Sequence, residues 1–440
     1  MQIMKLTYRL FPEFRSWLSE LPDSRIQLKC FYSMGQVTFC TLMMYLTRQR
    51  SLHAFCAENR DSEWTLYNFQ KWMPMYNVPT DDEIRYALAD IPTSALNGLL
   101  RDIHGGLERK KILSDQKILD KFELVSLDGS GQLSSYNLRY ANALTRKMTS
   151  ANGSERTMFL HGQLVATLTN PSATYSLPLF FEPIERQGAE ATEYDKNDCE
   201  INAAKRLFYK LKTLYPKRSF CFLGDNLLAA TTIAEILKEK SWHFIFTAKP
   251  ERNRELFSWA EMLKERWQTV ETVDQDGTRK IHRFLNKLPL AQFLKEERAI
   301  WVNLVELTEI GSDGTQTYFN TWVTDIEVNK NNVQQITQGG RARFASIENR
   351  VFNEQKNLGF QMEHNFGHFG NLPNVFFGFA LVAQCLTQLF CNWGRARPWI
   401  KNAGSTRRYF EQLSIMISRT LIDDDGVPII YCKFDFGDTS

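Results

Sequence analysis

The sequence predicts an α/β fold, and the main observation is the order of apolar runs in the middle of the chain. Three strand-like runs come first, the last two of them covering 157–168 and 175–184. A helical pattern over 198–215 follows, and then a short apolar run that ends just before Asp225. One more helix leads to a strand at 243–248. Strands that alternate with helices in this way are typical of α/β proteins.

The first 117 residues are predicted to be mainly helical. The segment 32–46 is rich in Phe, Met and Leu, and Pro74 and Pro79 separate two later helical pieces. Thr80 is placed to cap the second of these pieces.

A β-rich segment is predicted after the α/β part, over 256–338. Alternating runs are joined there across two Asp-Gly pairs, Asp276-Gly277 and Asp313-Gly314. Such a pair between two alternating runs is a strong hairpin signal. We therefore expect two β-hairpins, forming an insertion that interrupts the α/β core.

A helix carrying one acid is predicted after Gly339-Gly340. Its apolar positions Phe344, Ile347, Val351 and Phe352 share one face, and Gly359 is a plausible end. The border of that face holds a carboxylate, Glu348.

Two other acids, Asp128 and Asp225, each follow the end of an apolar strand-like run, and together with them Glu348 becomes a candidate site residue. Taken alone, Glu348 is better explained as a surface glutamate with charged partners one helical turn away. Three carboxylates from two strands and a helix, however, suit hard cations such as Mg²⁺ or Mn²⁺. Two such ions roughly 4 Å apart promote in-line phosphoryl transfer, the chemistry that cuts and joins nucleic-acid strands.

Five sequence blocks, spread over most of the chain, resemble bacterial insertion-sequence transposases of the DDE type, which move DNA by cutting and pasting. The resemblance implies that Asp128, Asp225 and Glu348 bind two Mg²⁺ ions, for which Mn²⁺ can substitute. It also implies double-stranded DNA as partner, both transposon ends and target, and a homodimer in the active complex. The blocks are LDGSGQLSS (127–135), KNDCEINAAKRL (196–207), LGDNLLA (223–229), FNTWVTD (319–325) and RARFASIENRVFNEQKN with QMEHNFGH (341–368).

The same resemblance implies a ribonuclease H-like mixed-sheet core interrupted by the β-rich insertion. The predicted domains are a helical N-terminal domain that binds DNA ends (1–117), the first part of the core (118–255), the insertion (256–338), the second part of the core (339–395) and a C-terminal tail (396–440).

The signature around the third acid departs from the Tyr, Arg, Glu and Lys spacing of related transposases. Arg343 falls one place early, Lys356 one place late, and no Tyr fills the first position. Arg343, Lys356 and Arg341 remain candidate phosphate contacts. Trp322 is a candidate for stacking on a displaced base, although its setting favours a half-buried strand tryptophan.

The amino-acid composition excludes few classes of function. The net charge is +3, and the 43% hydrophobic and 23% charged residues are ordinary for a globular protein. Eight cysteines without CxxC spacing favour reduced thiols in a cytoplasmic protein. The resemblance implies in addition a bacterial protein that is associated with the nucleoid when bound to DNA. The N-terminus does not resemble a signal peptide, and the most apolar run, 375–390, is predicted to be a buried helix too short to span a membrane. Two other functions stay open: a catalytically silent DNA-binding protein derived from a transposase, and a ribonuclease H-like nuclease without strand transfer.

Overall fold

The computed structural model describes residues 2–113, 117–137, 142–150, 153–186, 198–291, 299–423 and 428–429. Lys196 and Asn197 of the second matched block lie outside these residues, as does most of the tail after 423. The chain forms two compact units. We call them the helical unit, which combines Met1–Leu99 with Gln355–Ser440, and the sheet unit, Leu100–Glu354.

The helices and strands alternate through the middle of the chain as the apolar runs predict. The helices are α1 Gln2–Leu10, α2 Phe14–Ser19, α3 Met34–Leu46, α4 Leu52–Asn59, α5 Glu63–Gln70, α6 Asp81–Leu88, α7 Thr93–Arg109, α8 Glu200–Leu214, α9 Thr231–Glu239, α10 Arg254–Met262, α11 Val333–Arg343, α12 Asn353–Asn357, α13 Leu372–Asn392, α14 Arg397–Ala403 and α15 Thr406–Arg419, with a π-helical segment, Phe344–Phe352, between α11 and α12. The strands are β1 Lys117–Ile118, β2 Phe122–Ser135, β3 Leu144–Thr149, β4 Glu155–Thr169, β5 Ser176–Ile184, β6 Phe220–Gly224, β7 His243–Thr247, β8 Gln268–Val273, β9 Arg279–Pro289, β10 Trp301–Ile310, β11 Gln316–Thr324, β12 Leu421–Ile422 and β13 Pro428–Ile429.

One large mixed sheet forms the centre of the sheet unit, which confirms the predicted α/β class. Its strand order is β3-β4-β2-β6-β7-β11-β10-β9-β8, with β1 beside β2 and β5 beside β4. β2, β6 and β7 are parallel, whereas β4 and β5 are antiparallel to their neighbours. β6 and β7 therefore end side by side, next to the middle of the longer β2, and loops that follow such strand ends often carry functional side chains in α/β proteins.

Both predicted hairpins are present, between β7 and α11 in the chain. β8–β9 and β10–β11 pair antiparallel, and Gly277 and Gly314 take positive φ angles in the connecting turns. β11 also pairs with β7, from Trp322 opposite Thr247 to Thr324 opposite Ile245. The predicted insertion is thus a continuation of the same sheet.

Two further predictions about local structure are wrong. The segment GSGQLSS after Asp128 is the second half of β2, because it pairs with β4 as far as Ser135, so Asp128 lies within a strand. The helix that carries Glu348 begins at Val333, before the two glycines. Its apolar face includes Ile347, Val351 and Phe352 as predicted, but Phe344 is exposed.

Gly339 and Gly340 lie inside α11 because the helix packs tightly on the sheet. A Cβ at Gly340 would lie 2.6 Å from the indole nitrogen of Trp322, and a Cβ at Gly339 would lie 2.7 Å from Cδ1 of Ile118. Trp322 is only 1% exposed and belongs to the apolar core between α11 and the sheet. Close approach of the backbone therefore explains glycine at these two helical positions, despite its low helix propensity.

The helical unit confirms the mainly helical N-terminal region and joins it to the end of the chain. Thr80 caps α6 in a capping box with Glu83, as predicted in part. The division into units differs from the predicted domain ranges, since residues 355–395 belong with the N-terminal helices instead of the sheet.

The apolar helix α13 packs against α1 and α3 within the helical unit. It runs over 21 residues, longer than the predicted run, and is long and apolar enough to cross a membrane by length and composition alone. Most of its residues are buried in this fold, and buried core helices of globular proteins can have the same length and apolar composition as a membrane span.

Candidate active site

Asp128 and Asp225 are brought side by side by the parallel pairing of β2 and β6. Ser126 of β2 pairs with Leu223 of β6, so the same register continued by two residues places Asp128 beside Asp225. Adjacent strands lie about 4.8 Å apart, which puts the two carboxylates on neighbouring positions at one edge of the sheet. Asp225 directly follows its strand, as the sequence predicts.

Backbone amides orient both carboxylates. Oδ1 of Asp225 accepts hydrogen bonds from the amides of Leu227 at 2.8 Å and Leu228 at 3.4 Å, in the turn before α9. Oδ1 of Asp128 accepts one from the amide of Gly129 at 3.1 Å. Asp225 is thus held by the turn that follows β6, and Asp128 accepts its hydrogen bond from the next residue of β2.

Glu348 lies in the π-helical segment, which a pair of serines ties to β2. The hydroxyl oxygens of Ser126 and Ser346 are 2.5 Å apart, and both side chains are buried. Ser346 also donates to the carbonyl oxygen of Arg343 at 2.9 Å. π-Helical turns are rare and often occur at functional sites, where the extra residue per turn redirects a side chain.

The guanidinium of Arg343 joins the first and third acids. Its Nη1 lies 3.5 Å from Oδ2 of Asp128, and Nη1 and Nη2 each lie 3.1 Å from Oε1 of Glu348. In the described part of the chain, no group of three or more His, Cys, Asp or Glu side chains is arranged to hold a metal ion. Between Asp128 and Glu348, the positive charge is supplied by Arg343.

Asp128 has a strongly perturbed pKa. This pKa is raised from 3.8 to about 7, chiefly by burial and also by the nearby carboxylates of Glu348, Asp225 and Glu200, while Arg343 acts in the opposite direction. A carboxyl group that titrates near neutral pH is a frequent property of functional sites.

Glu200 is a fourth carboxylate that the sequence analysis did not select. It opens α8, and its side chain lies against Gly129, where an added Cβ would be 2.5 Å from the Glu200 carboxyl carbon. Burial raises the pKa of Glu200, the charge of Asp225 raises it too, and Arg343 lowers it. Acids are common in the first turn of a helix because they stabilise the helix. Only the tertiary position of Glu200 therefore links it to the site.

The other predicted DNA contacts lie elsewhere. Arg341 forms an ion pair with Glu309 and lies over the Tyr318 ring at 4.5 Å, in a cleft of about 440 Å³. Lys356 belongs to the helical unit, where its ammonium is 3.6 Å from Glu363. These two contacts stay predictions, whereas Trp322 is wrong as a stacking residue because its ring is buried beneath Gly340.

The arrangement concentrates negative charge at one edge of the sheet. Asp128 interacts with Asp225, Glu200 and Glu348, Glu200 also interacts with Asp225, and Arg343 contacts Asp128 and Glu348. Such a cluster can bind cations or transfer protons near neutral pH.

Comparisons with known proteins do not assign a family. No family model matches the chain, and no curated protein matches it. Among solved structures, the chain is similar to the piggyBac transposase in a cryo-EM structure of its synaptic complex with hairpin DNA. The TM-score is 0.41 and the identity 10%, over 94% of this chain and 80% of that chain.

Proposed function

We propose that this protein is a DNA transposase of the DDE type, which cleaves at the ends of an insertion sequence and joins the freed ends to target DNA. The observation that carries the proposal is the register of β2 and β6, which brings Asp128 and Asp225 together from positions 97 residues apart. Arg343 contacts both Asp128 and Glu348, which places the third acid next to the same site.

The donor chemistry of the site fits hard divalent cations. Carboxylate oxygens are the preferred ligands of Mg²⁺ and Mn²⁺, and added positive charge stabilises the ionised form of Asp128, whose pKa is raised to about 7 by burial and by the neighbouring acids. Asp128, Asp225 and Glu348 are the proposed ligands of two Mg²⁺ ions. When bound, such ions activate the attacking oxygen and stabilise the leaving oxygen of phosphoryl transfer. Arg343 is placed to bind a phosphate at the same point.

A ribonuclease H-like core is part of this proposal. Its support is the order of three antiparallel strands (β2, β4, β5), a helix, and two strands parallel to the first (β6, β7). Double-stranded DNA as substrate, a homodimer in the active complex, an end-binding role for the N-terminal helices and a cytoplasmic location are proposed with it.

The proposal is tested by cleavage and strand transfer on a labelled duplex carrying the inverted repeat that flanks the coding sequence. Wild type is compared with Asp225→Asn, which keeps the side-chain volume but removes the charge. Asp61→Asn, at an exposed position in the helical unit, is the matched control. We expect wild type and the control to cut and join in Mg²⁺, whereas Asp225→Asn binds the duplex and does neither.

The other outcomes identify the alternatives. Binding without cleavage by wild type, with Mg²⁺ and with Mn²⁺, indicates a catalytically silent DNA-binding protein. Cleavage that never yields joined products indicates a nuclease without strand transfer. Equal activity of wild type and Asp225→Asn refutes the assignment of the acids.

A further inference from the structure

The central strands of the sheet extend well beyond the carboxylates. β2 continues from Asp128 to Ser135, paired with β4, and β3 adds a hairpin partner to the first part of β4. We call β3 together with residues 155–160 of β4 the basic arm. Arg146 of β3 lies opposite Met158 of β4, and Met148 lies opposite Arg156.

The basic arm carries three exposed cations. Arg146, Lys147 and Arg156 are exposed, and in the part of the chain that the structure describes none of them forms an ion pair. Arg156 lies over the ring of Tyr136, 4.6 Å from its centre, which holds the guanidinium against the end of β2. A single acid, Glu155, stands in the same two strand segments.

The distance from the acids to these cations follows from the register. Val165 lies opposite Asp128, and seven residues separate it from Met158, the partner of Arg146. At about 3.3 Å per residue this is roughly 23 Å, and Arg156, nine residues from Val165, is roughly 30 Å away. With about 3.4 Å per base pair, these distances span about 7 to 9 base pairs of a duplex.

We propose that the basic arm binds the phosphate backbone of duplex DNA about 7 to 9 base pairs from the bond held at the carboxylates. This inference rests on the proposed function, since it places the arm on the substrate of that site. The physical reason is that exposed, uncompensated Arg and Lys side chains release condensed counterions when they contact phosphates. β3 is also an edge strand, and the alternative role of its charged side chains is to prevent the strand from pairing with another chain.

The salt dependence of duplex binding separates these two roles. The triple variant Arg146→Gln, Lys147→Gln and Arg156→Gln is compared with wild type on a duplex of 30 base pairs without divalent cations. The control is Lys121→Gln, Lys217→Gln and Lys238→Gln, which removes the same charge at exposed positions near the amino ends of β2 and β6 and near the end of α9. Circular dichroism checks that both variants are folded, as expected for exposed positions.

We expect the slope of log K against log salt to become less steep by about 2 to 3 in the arm variant and to stay unchanged in the control. Phosphate ethylation about 7 to 9 base pairs from the cleavage site should weaken binding of wild type but not of the arm variant. An unchanged slope with increased aggregation refutes the inference and indicates edge protection. If wild type cuts DNA but the arm variant binds the duplex with the same salt dependence as wild type, only the inference about the basic arm is wrong. If wild type shows no salt-dependent binding to the duplex, both the inference and the proposed function are wrong.

Discussion

Asp128 is the residue whose titration has the clearest consequence for stability. Its pKa rises from 3.8 to about 7 on folding, so between these pH values the folded protein holds a proton that the unfolded chain has released. The folded state binds more protons, and the free energy of unfolding therefore falls as the pH rises through this window. The size of the effect is at most about 4 kcal/mol, because one pKa unit corresponds to about 1.4 kcal/mol.

We predict that Asp128→Asn removes this pH dependence from the sheet unit. In wild type, amide hydrogen exchange of β2 and β6 should show lower protection at pH 7.5 than at pH 5 after correction for the intrinsic rates, and the variant should show a smaller difference. Mg²⁺ should restore protection at pH 7.5 in wild type only, because a bound cation favours the ionised carboxylate. Equal pH dependence in wild type and Asp128→Asn would contradict the perturbed pKa.

Residue types and spacing selected the three acids as candidates but did not give their environment. Asp225 could be identified because an acid after a buried strand is visible in the sequence. Glu200 could not, because its distance to Gly129 depends on how α8 packs on the sheet. Trp322 was misassigned for a related reason, since the alternation of a strand does not reveal which face a helix will cover.

At the scale of elements, the contact between α11 and the sheet positions Glu348. The π-helical segment continues directly from α11, so a shift of α11 away from β11 also shifts the third acid. Gly340 is the most constrained point of this contact because the rigid indole of Trp322 lies directly beneath it. At Gly339 the closest atom is the end of the flexible Ile118 side chain.

We predict that Gly340→Ala destabilises the sheet unit by about 1 to 3 kcal/mol and lowers any activity of the site, since the added methyl group overpacks the contact. Gly339→Ala should destabilise the sheet unit less than Gly340→Ala. Gly98→Ala in α7 is the matched control, because no atom lies within 4 Å of its added Cβ. It should stabilise by roughly 0.5 to 1 kcal/mol through helix propensity. Thermal unfolding of the three variants checks the order, and equal effects of Gly340→Ala and Gly98→Ala would contradict the packing argument.

Most elements could be predicted from periodicity, but their pairing could not. Both Asp-Gly hairpins were found because the turn chemistry is local. Their union with the core depends on the pairing of β11 with β7, whose residues are far apart in sequence. The π-helical segment was missed because its apolar residues Ile347, Val351 and Phe352 also fit an α-helical face.

At the scale of the whole molecule, the chain leaves the helical unit at residue 99 and returns to it at 355. Boundaries inferred from composition placed residues 355–395 with the core, because neighbouring segments of sequence usually fold together. The net charge of +3 is too small to indicate DNA binding by itself, so the proposed DNA binding relies on local groups such as the basic arm.

Each chain contains one cluster of Asp128, Asp225 and Glu348, whereas excision of an element requires cleavage at two ends. Under the proposed function we therefore predict that two chains act together, each cutting one end; two-fold symmetric dimers are the commonest oligomers. Mixing equal amounts of wild type and Asp225→Asn before assembly should reduce the yield of doubly cut substrate to about a quarter, the fraction of dimers with two intact clusters. Mixing with Asp61→Asn should leave the yield unchanged. A reduction to only about half would show that single chains cut both ends, and the mass of the complex with DNA would then correspond to one chain.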